Sequence, residues 1–348
     1  MPAGVKRLPL TIQTIYAELL DQCEANRFDT DFPIGRGGFV VSERNGRRYW
    51  YFQLNEKGKR TRRYVGPETP DLVDRIARHE QRRAGAGDRR EMVQTLKRSR
   101  LPAPDRETGK LIEAVAEAGV FRLRAVLIGT LAYQTYGPML GVRLPLGATR
   151  THDIDISQAP DVSVMIEDEL DKPLLDVLHG VDDSFRPVSP PLAENRATSY
   201  VAASGMRIDL IATHRGPNSD LPVRLPALGT DAQPLRFLDF LIYDAIAAVV
   251  LFGAGILVSV PAPERYALHK LLVARRRPSG HPKVEKDIAQ AASLIEVLAE
   301  ARPDDLAQCW KEMQARGPKW RKYADEATRL LPPHAREELD STIRSGAD

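Results

Sequence analysis

Cysteine is scarce, and its scarcity excludes two classes at once. Cys23 and Cys309 are the two cysteines among 348 residues. Two so far apart make neither a disulfide framework nor a cysteine-ligated metal site. Free thiols in a reducing cytoplasm are expected. Long apolar runs are missing as well. The longest, Ala245–Val260, has sixteen residues and carries Gly253 and Gly255. A membrane span needs about 20 apolar residues. The run therefore reads as two buried strands around a turn, and no membrane partner is expected. Polar residues interrupt Leu10–Leu20, so no signal peptide is expected there. Internal repeats and low-complexity tracts are absent too.

What is present is globular in kind: 43% hydrophobic and 28% charged residues. The length allows two domains. Net charge is +3, but it is unevenly spread. Residues 1–110 hold 23 Lys/Arg against 15 Asp/Glu, and the remainder holds 27 against 32. The basic N-terminal part calls for an acidic partner. The Pro-rich stretch Leu101–Gly109 reads as a break.

The expected organisation is a basic domain over 1–100, a linker over 101–110, an α/β core over 111–262 and a helical region over 263–348. The expected class is α+β: a mixed sheet flanked by helices, with a small basic N-terminal α/β-hairpin domain. A helix is predicted over 10–27, and strands at 39–41, 48–54 and 61–65 around an Asn55–Gly58 turn. Thr69 and Pro70 open a further helix. Helices are also predicted near 111–119 and 163–179, strands within 123–128, 199–212 and 236–260, and five helices from Pro263 onward.

The chemistry concentrates in a few short segments. Thr151-His152-Asp153-Ile154-Asp155-Ile156 alternates as a strand, which sends Asp153 and Asp155 to one face and the isoleucines to the other. Two carboxylates so close repel unless neutralised. A pair of Mg²⁺ ions, which favour carboxylate and phosphate oxygens, would do it. Asp209, in the apolar run Met206–Ile211, completes a three-Asp cluster if the two strands are neighbours. Such a cluster suits two-metal nucleotidyl transfer. Upstream, Val126-Leu127-Ile128 reads as a buried strand that turns at Gly129-Thr130 into a helix. Glycine permits close backbone approach to a phosphate, and a helix start offers free N–H groups. An Asp-x-Asp pair alone is as easily a solvated strand face.

Strand, Gly-Thr, helix, then Arg150-Thr151-x-Asp-x-Asp, then a lone strand Asp: this order resembles the DNA polymerase β-like nucleotidyltransferase superfamily. The Arg-Thr-x-Asp-Ile-Asp form is similar to bacterial members related to abortive-infection and toxin–antitoxin nucleotidyltransferases. Val260–Arg277 and Lys286-Asp287 extend the resemblance, which spans roughly residues 111–300. It implies a nucleotidyltransferase-type sheet and transfer of NMP from an NTP to a hydroxyl, with two Mg²⁺ ions at Asp153, Asp155 and Asp209. It further implies nucleotide contacts at Gly129, Thr130, Arg150, Thr151, Lys270, Arg277 and Lys286. One departure stands out. Twenty-two residues separate Thr130 from Asp153, and the insert Gly137–Ala148 is expected to loop at the mouth of the site.

The acceptor stays open. The 47–65 segment interleaves cations with aromatics, and Arg48, Trp50, Lys59, Arg60, Arg62 and Arg63 are candidate nucleic-acid contacts. The alternative is a half-buried sheet beneath a solvated basic face. RNA, such as a tRNA end, is the first expectation for the acceptor. A protein hydroxyl, with an antitoxin-like partner, is the second, and a small molecule such as an aminoglycoside the third. A non-catalytic nucleic-acid-binding protein is the reading from a different class.

Overall fold

Short apolar stretches at 126–128, 153–158 and 207–213 assemble the sheet on which the carboxylates stand. The computed structural model describes residues 5–25, 37–44, 46–56, 59–145, 152–166, 168–214, 220–278 and 281–346. The chain begins with β1 (Lys6–Arg7) and α1 (Leu10–Ala25). An antiparallel meander follows, β2 (Gly37–Arg44), β3 (Arg47–Glu56) and β4 (Lys59–Pro67), and then the long helix α2 (Pro70–Arg98). Thr69 caps α2 by accepting from the Leu72 N–H at 3.2 Å, with Pro70 at the position where its missing N–H costs nothing.

Next come α3 (Arg106–Glu117), β5 (Val126–Ile128), α4 (Gly129–Met139), β6 (Val142–Arg143) and β7 (Asp153–Gln158). Two short helices, α5 (Pro160–Met165) and α6 (Leu174–His179), precede β8 (Arg186–Val188), β9 (Ser199–Val201) and β10 (Arg207–Thr213). Then β11 (Val223–Leu225), β12 (Thr230–Leu235), the single turn α7 (Leu238–Ile242), β13 (Ile246–Val250) and β14 (Ile256–Val260) complete the strands. The last helices are α8 (Pro263–Arg276), α9 (Lys283–Ala301), α10 (Pro303–Ala315), α11 (Pro318–Thr328) and α12 (Pro333–Ser345).

The main sheet runs β11-β12-β10-β7-β5, with β8 and β9 joined at β10. It is mixed: β7, β10 and β12 are parallel, while β5 and β9 run against them. One apolar core continues from the sheet through α8 and α9 to Leu339 of α12. Packing therefore does not break at 262. The N-terminal helices are not separate either. Tyr16, Leu19 and Cys23 of α1 and Val93 and Leu96 of α2 bury with Val249 and Leu251 of the β13–β14 hairpin. The N-terminal third of α2 instead covers the meander, with His79 edge-on to Phe39 and Phe52 at 5.2 and 5.6 Å.

Four expectations need correction. Residues 106–110 are helical rather than linker, because Asp105 accepts from the Glu107 and Thr108 N–H groups, each at 3.0 Å, and starts α3 there. The helix near 163–179 is two helices: α5 ends at Met165, where Ile166 turns extended, and α6 begins only after its N-cap Pro173. The segment 236–260 opens with α7 before its two strands. The insert Gly137–Ala148 is not all loop. Its first residues finish α4, and Val142–Arg143 pairs antiparallel with Lys6–Arg7. Residues 146–148 of it lie outside the described residues.

Candidate active site

Register brings two of the three carboxylates level. Asp155 on β7 lies opposite Asp209 on β10, and Asp153 lies opposite Arg207. Ile154, Ile156, Ile208 and Leu210 point the other way into the core. On the far side β5 sets Ile128 opposite Asp155, so the chain leaves the sheet at Gly129 beside that carboxylate. Gly129 has φ +70°, and a Cβ there would run into the Asp155 carboxylate oxygen. Only glycine satisfies both conditions. Helix α4 starts at this glycine with no side chain capping it, so its first N–H groups remain for a ligand.

The charge at this point is poorly compensated. Burial, then the neighbouring Asp209 and Asp153, push the Asp155 carboxyl up to about 6, against the opposing fields of Lys270 and Lys283. Asp209 is otherwise engaged. Its Oδ1 accepts from Arg207 Nε at 2.6 Å and from the Ser199 hydroxyl at 2.6 Å. Arg207 also donates to Ser199 at 2.8 Å. Among the described residues no group of three or more His, Cys, Asp and Glu stands where it could hold a metal ion. The Arg207 guanidinium sits on the carboxylate that would complete such a group.

Helices α8 and α9 supply the cations. Lys286 donates to the Thr130 hydroxyl at 3.0 Å, and burial followed by the Lys270 charge lowers its pKa. Lys270 and Arg277 converge on one partner. Both grip the buried Asp287, at 2.6 and 2.9 Å. Tyr266 on α8 donates to the Gly129 carbonyl at 3.0 Å and meets Gln290 at 3.2 Å, while Lys270 lies 5.3 Å over its ring. The helical segment is thereby latched to the start of α4.

Gly129, Thr130, Asp153, Asp155, Asp209, Lys270, Arg277 and Lys286 thus share one neighbourhood. Arg150 and Thr151 lie outside the described residues. Sequence reasoning passed over Arg207, Ser199, Tyr266 and Lys283. Of these, Arg207 was legible: it is two residues before Asp209 and so on its face. Ser199 was not, because its role comes from the β9–β10 pairing. Beside Asp209 opens a cavity of about 410 Å³, walled by Val188, Ser189, Pro190, Ile211 and Gln233.

The candidate nucleic-acid residues divide between two settings. Arg48 pairs with Glu68 at 3.1 Å, and Trp50 donates to the same carboxylate at 2.9 Å. Arg60, Arg62 and Arg63 are exposed. The Lys59 side chain lies outside the described residues.

No curated protein matches the chain. Among solved structures, it is similar to an antigenic nucleotidyltransferase-like protein from Paracoccidioides brasiliensis. Identity is 13%, coverage is 64% of this chain and 94% of that one, and the TM-score is 0.31. The sequence matches the family model described as Nucleotidyltransferase over residues 106–315, more than half of the chain. That span takes in the carboxylate strands, the Gly129 turn and the α8–α9 cations, and the chain belongs to the nucleotidyltransferase family.

Proposed function

We propose that this enzyme transfers NMP from an NTP to a hydroxyl of RNA, releasing pyrophosphate, in the manner of the polymerase β-like and toxin-related members it resembles. The observation that carries the reading is the Asp155 carboxylate. It is raised to about 6 by burial and by Asp209 and Asp153, and it is held against a glycine turn that opens a helix. An uncompensated buried anion is expensive, and it persists where a ligand completes it.

The donors fit Mg²⁺: hard carboxylate oxygens gathered beside a phosphate-binding helix start. Asp153 and Asp155 would hold it, joined by Asp209 once Arg207 yields that carboxylate. Bound there, Mg²⁺ would neutralise charge developing on the transferred phosphoryl group. The chain's own groups do the rest. The α4 N–H groups and the Thr130 hydroxyl bind phosphate oxygens, with Lys286 beside them. Lys270 offsets the negative charge of the triphosphate from its seat on Asp287. Asp209 faces the 410 Å³ cavity, where an acceptor hydroxyl would enter, and can take that hydroxyl's proton. The basic residues 1–100 hold the rest of the RNA.

The test is transfer of label from each α-labelled NTP to total RNA and cell extract, with Mg²⁺ or with EDTA. A Mg²⁺-dependent labelled RNA, absent with Asp153→Ala or Asp155→Ala, is the expected result. Label on protein would move the acceptor to a polypeptide and point to an antitoxin-like partner. Unchanged label in either variant would sink the carboxylate site.

A further inference from the structure

The N-terminal meander has two unlike faces. Alternation along β3 turns Trp50 and Phe52 one way and Tyr49 and Tyr51 the other. The first face is the covered one. Phe52 is buried, and Phe39, opposite it, meets His79 of α2. The second face gathers tyrosines from two strands. A bulge shifts the β3–β4 register between Trp50 and Tyr51, so that Tyr64 comes opposite Tyr51. The Tyr64 ring lies 5.5 Å from Tyr51 and 6.4 Å from Tyr49. It is 54% exposed. Arg60 and Arg62 precede Tyr64 by four and two residues, so they share its face, and both are exposed. Arg62 donates to Gln53 at 3.2 Å across the strand pair.

We propose that this face is a stacking platform for single-stranded RNA. Bases lie on the tyrosine rings, led by Tyr64, and phosphates run along Arg60 and Arg62. Charge complementarity selects a polyanion, since residues 1–110 carry 23 Lys/Arg against 15 Asp/Glu. The rings select one with planar faces to offer. A duplex keeps those faces stacked on one another, so an unpaired strand is the fit. The choice of RNA over DNA rests on the acceptor proposed above. The aromatic residue that sequence composition makes most prominent, Trp50, is not part of the platform, because it faces Glu68.

The test is fluorescence anisotropy of the full chain with a labelled single-stranded RNA of about 12 nucleotides, in EDTA and without NTP. Tyr64→Ala should weaken binding by about tenfold or more, and Tyr64→Phe should keep most of it. Arg60→Gln and Arg62→Gln should each lower the slope of log affinity against log salt by about 0.7. Unchanged thermal unfolding of Tyr64→Ala would show that the loss is local. Wild-type binding by Tyr64→Ala would overturn the proposal, as would equal affinity for the same sequence in duplex form or as DNA. The assay contains neither metal nor nucleotide, so it separates the two readings. Tyr64-dependent binding in a chain that transfers nothing would defeat the transfer reading alone. Transfer to RNA with binding indifferent to Tyr64 would defeat the platform alone.

Discussion

The central sheet and the N-terminal meander both carry charge on strands, and they carry it differently. In the meander β4 presents Arg60, Arg62 and Arg63 to water. In the central sheet, register sets Asp155 level with Asp209 between buried rows of isoleucine and leucine. Solvated charges ask little of their surroundings. Gathered, half-buried carboxylates destabilise the chain unless they bind something. The contrast supports the chemistry proposed for the central sheet and leaves the meander as a surface.

The sharpest way to break that comparison is Asp155→Ala. Transfer should fall by about 10³-fold or more, the several kcal/mol that a charge-neutralising site supplies, in the labelled-NTP assay. Next is Asp287→Ala. It leaves Lys270 and Arg277 without the buried carboxylate they share, and should lower stability by about 3 kcal/mol in urea unfolding. Gly129→Ala adds a left-handed strain and a clash with Asp155. A displacement of that size should cost about 10²-fold in kcat/KM.

Asp155→Asn acts in the opposite sense on stability. The folded chain holds the Asp155 proton up to about pH 6, against the ordinary 3.8. The burden of the buried anion is therefore absent at pH 3.8 and below. It grows as pH rises through 6 and is complete above that. In EDTA at pH 7.5 or so the variant should be more stable than wild type by roughly 2–3 kcal/mol, and the gain should vanish near pH 4. A gain that persisted at low pH would mean that the carboxyl is not the source. The smallest effect belongs to the surface. Arg62→Gln should change stability by less than about 0.5 kcal/mol and leave thermal unfolding unmoved.

Much of the fold was legible from punctuation. Pro263, Pro303, Pro318 and Pro333 stand first in their helices, where proline is at home. Thr69-Pro70 marked the start of α2, and period-two alternation marked β7 and β10. Reading failed where a single residue overruled a pattern. Extended backbone at Ile166 ends a helix that periodicity alone carries on to 179, and Asp105 starts a helix inside a stretch that its prolines present as linker. It failed again for residues that act through partners. Asp287 enters the sequence reading only beside Lys286, and its hold on Lys270 and Arg277 appears once α8 and α9 pack.

Sequence alone determined which residue types share a face, because the period of a strand is a covalent property of the backbone. Asp153 with Asp155, Arg207 with Asp209, and Tyr49 with Tyr51 follow from counting by two. Tertiary structure decided which faces meet and which stay open. Parallel pairing brought Asp209 level with Asp155, β5 delivered Gly129 beneath that carboxylate, and α2 covered Trp50's side of the meander rather than Tyr64's. Those outcomes depend on burying the most apolar surface over the whole chain, a sum that no local segment contains.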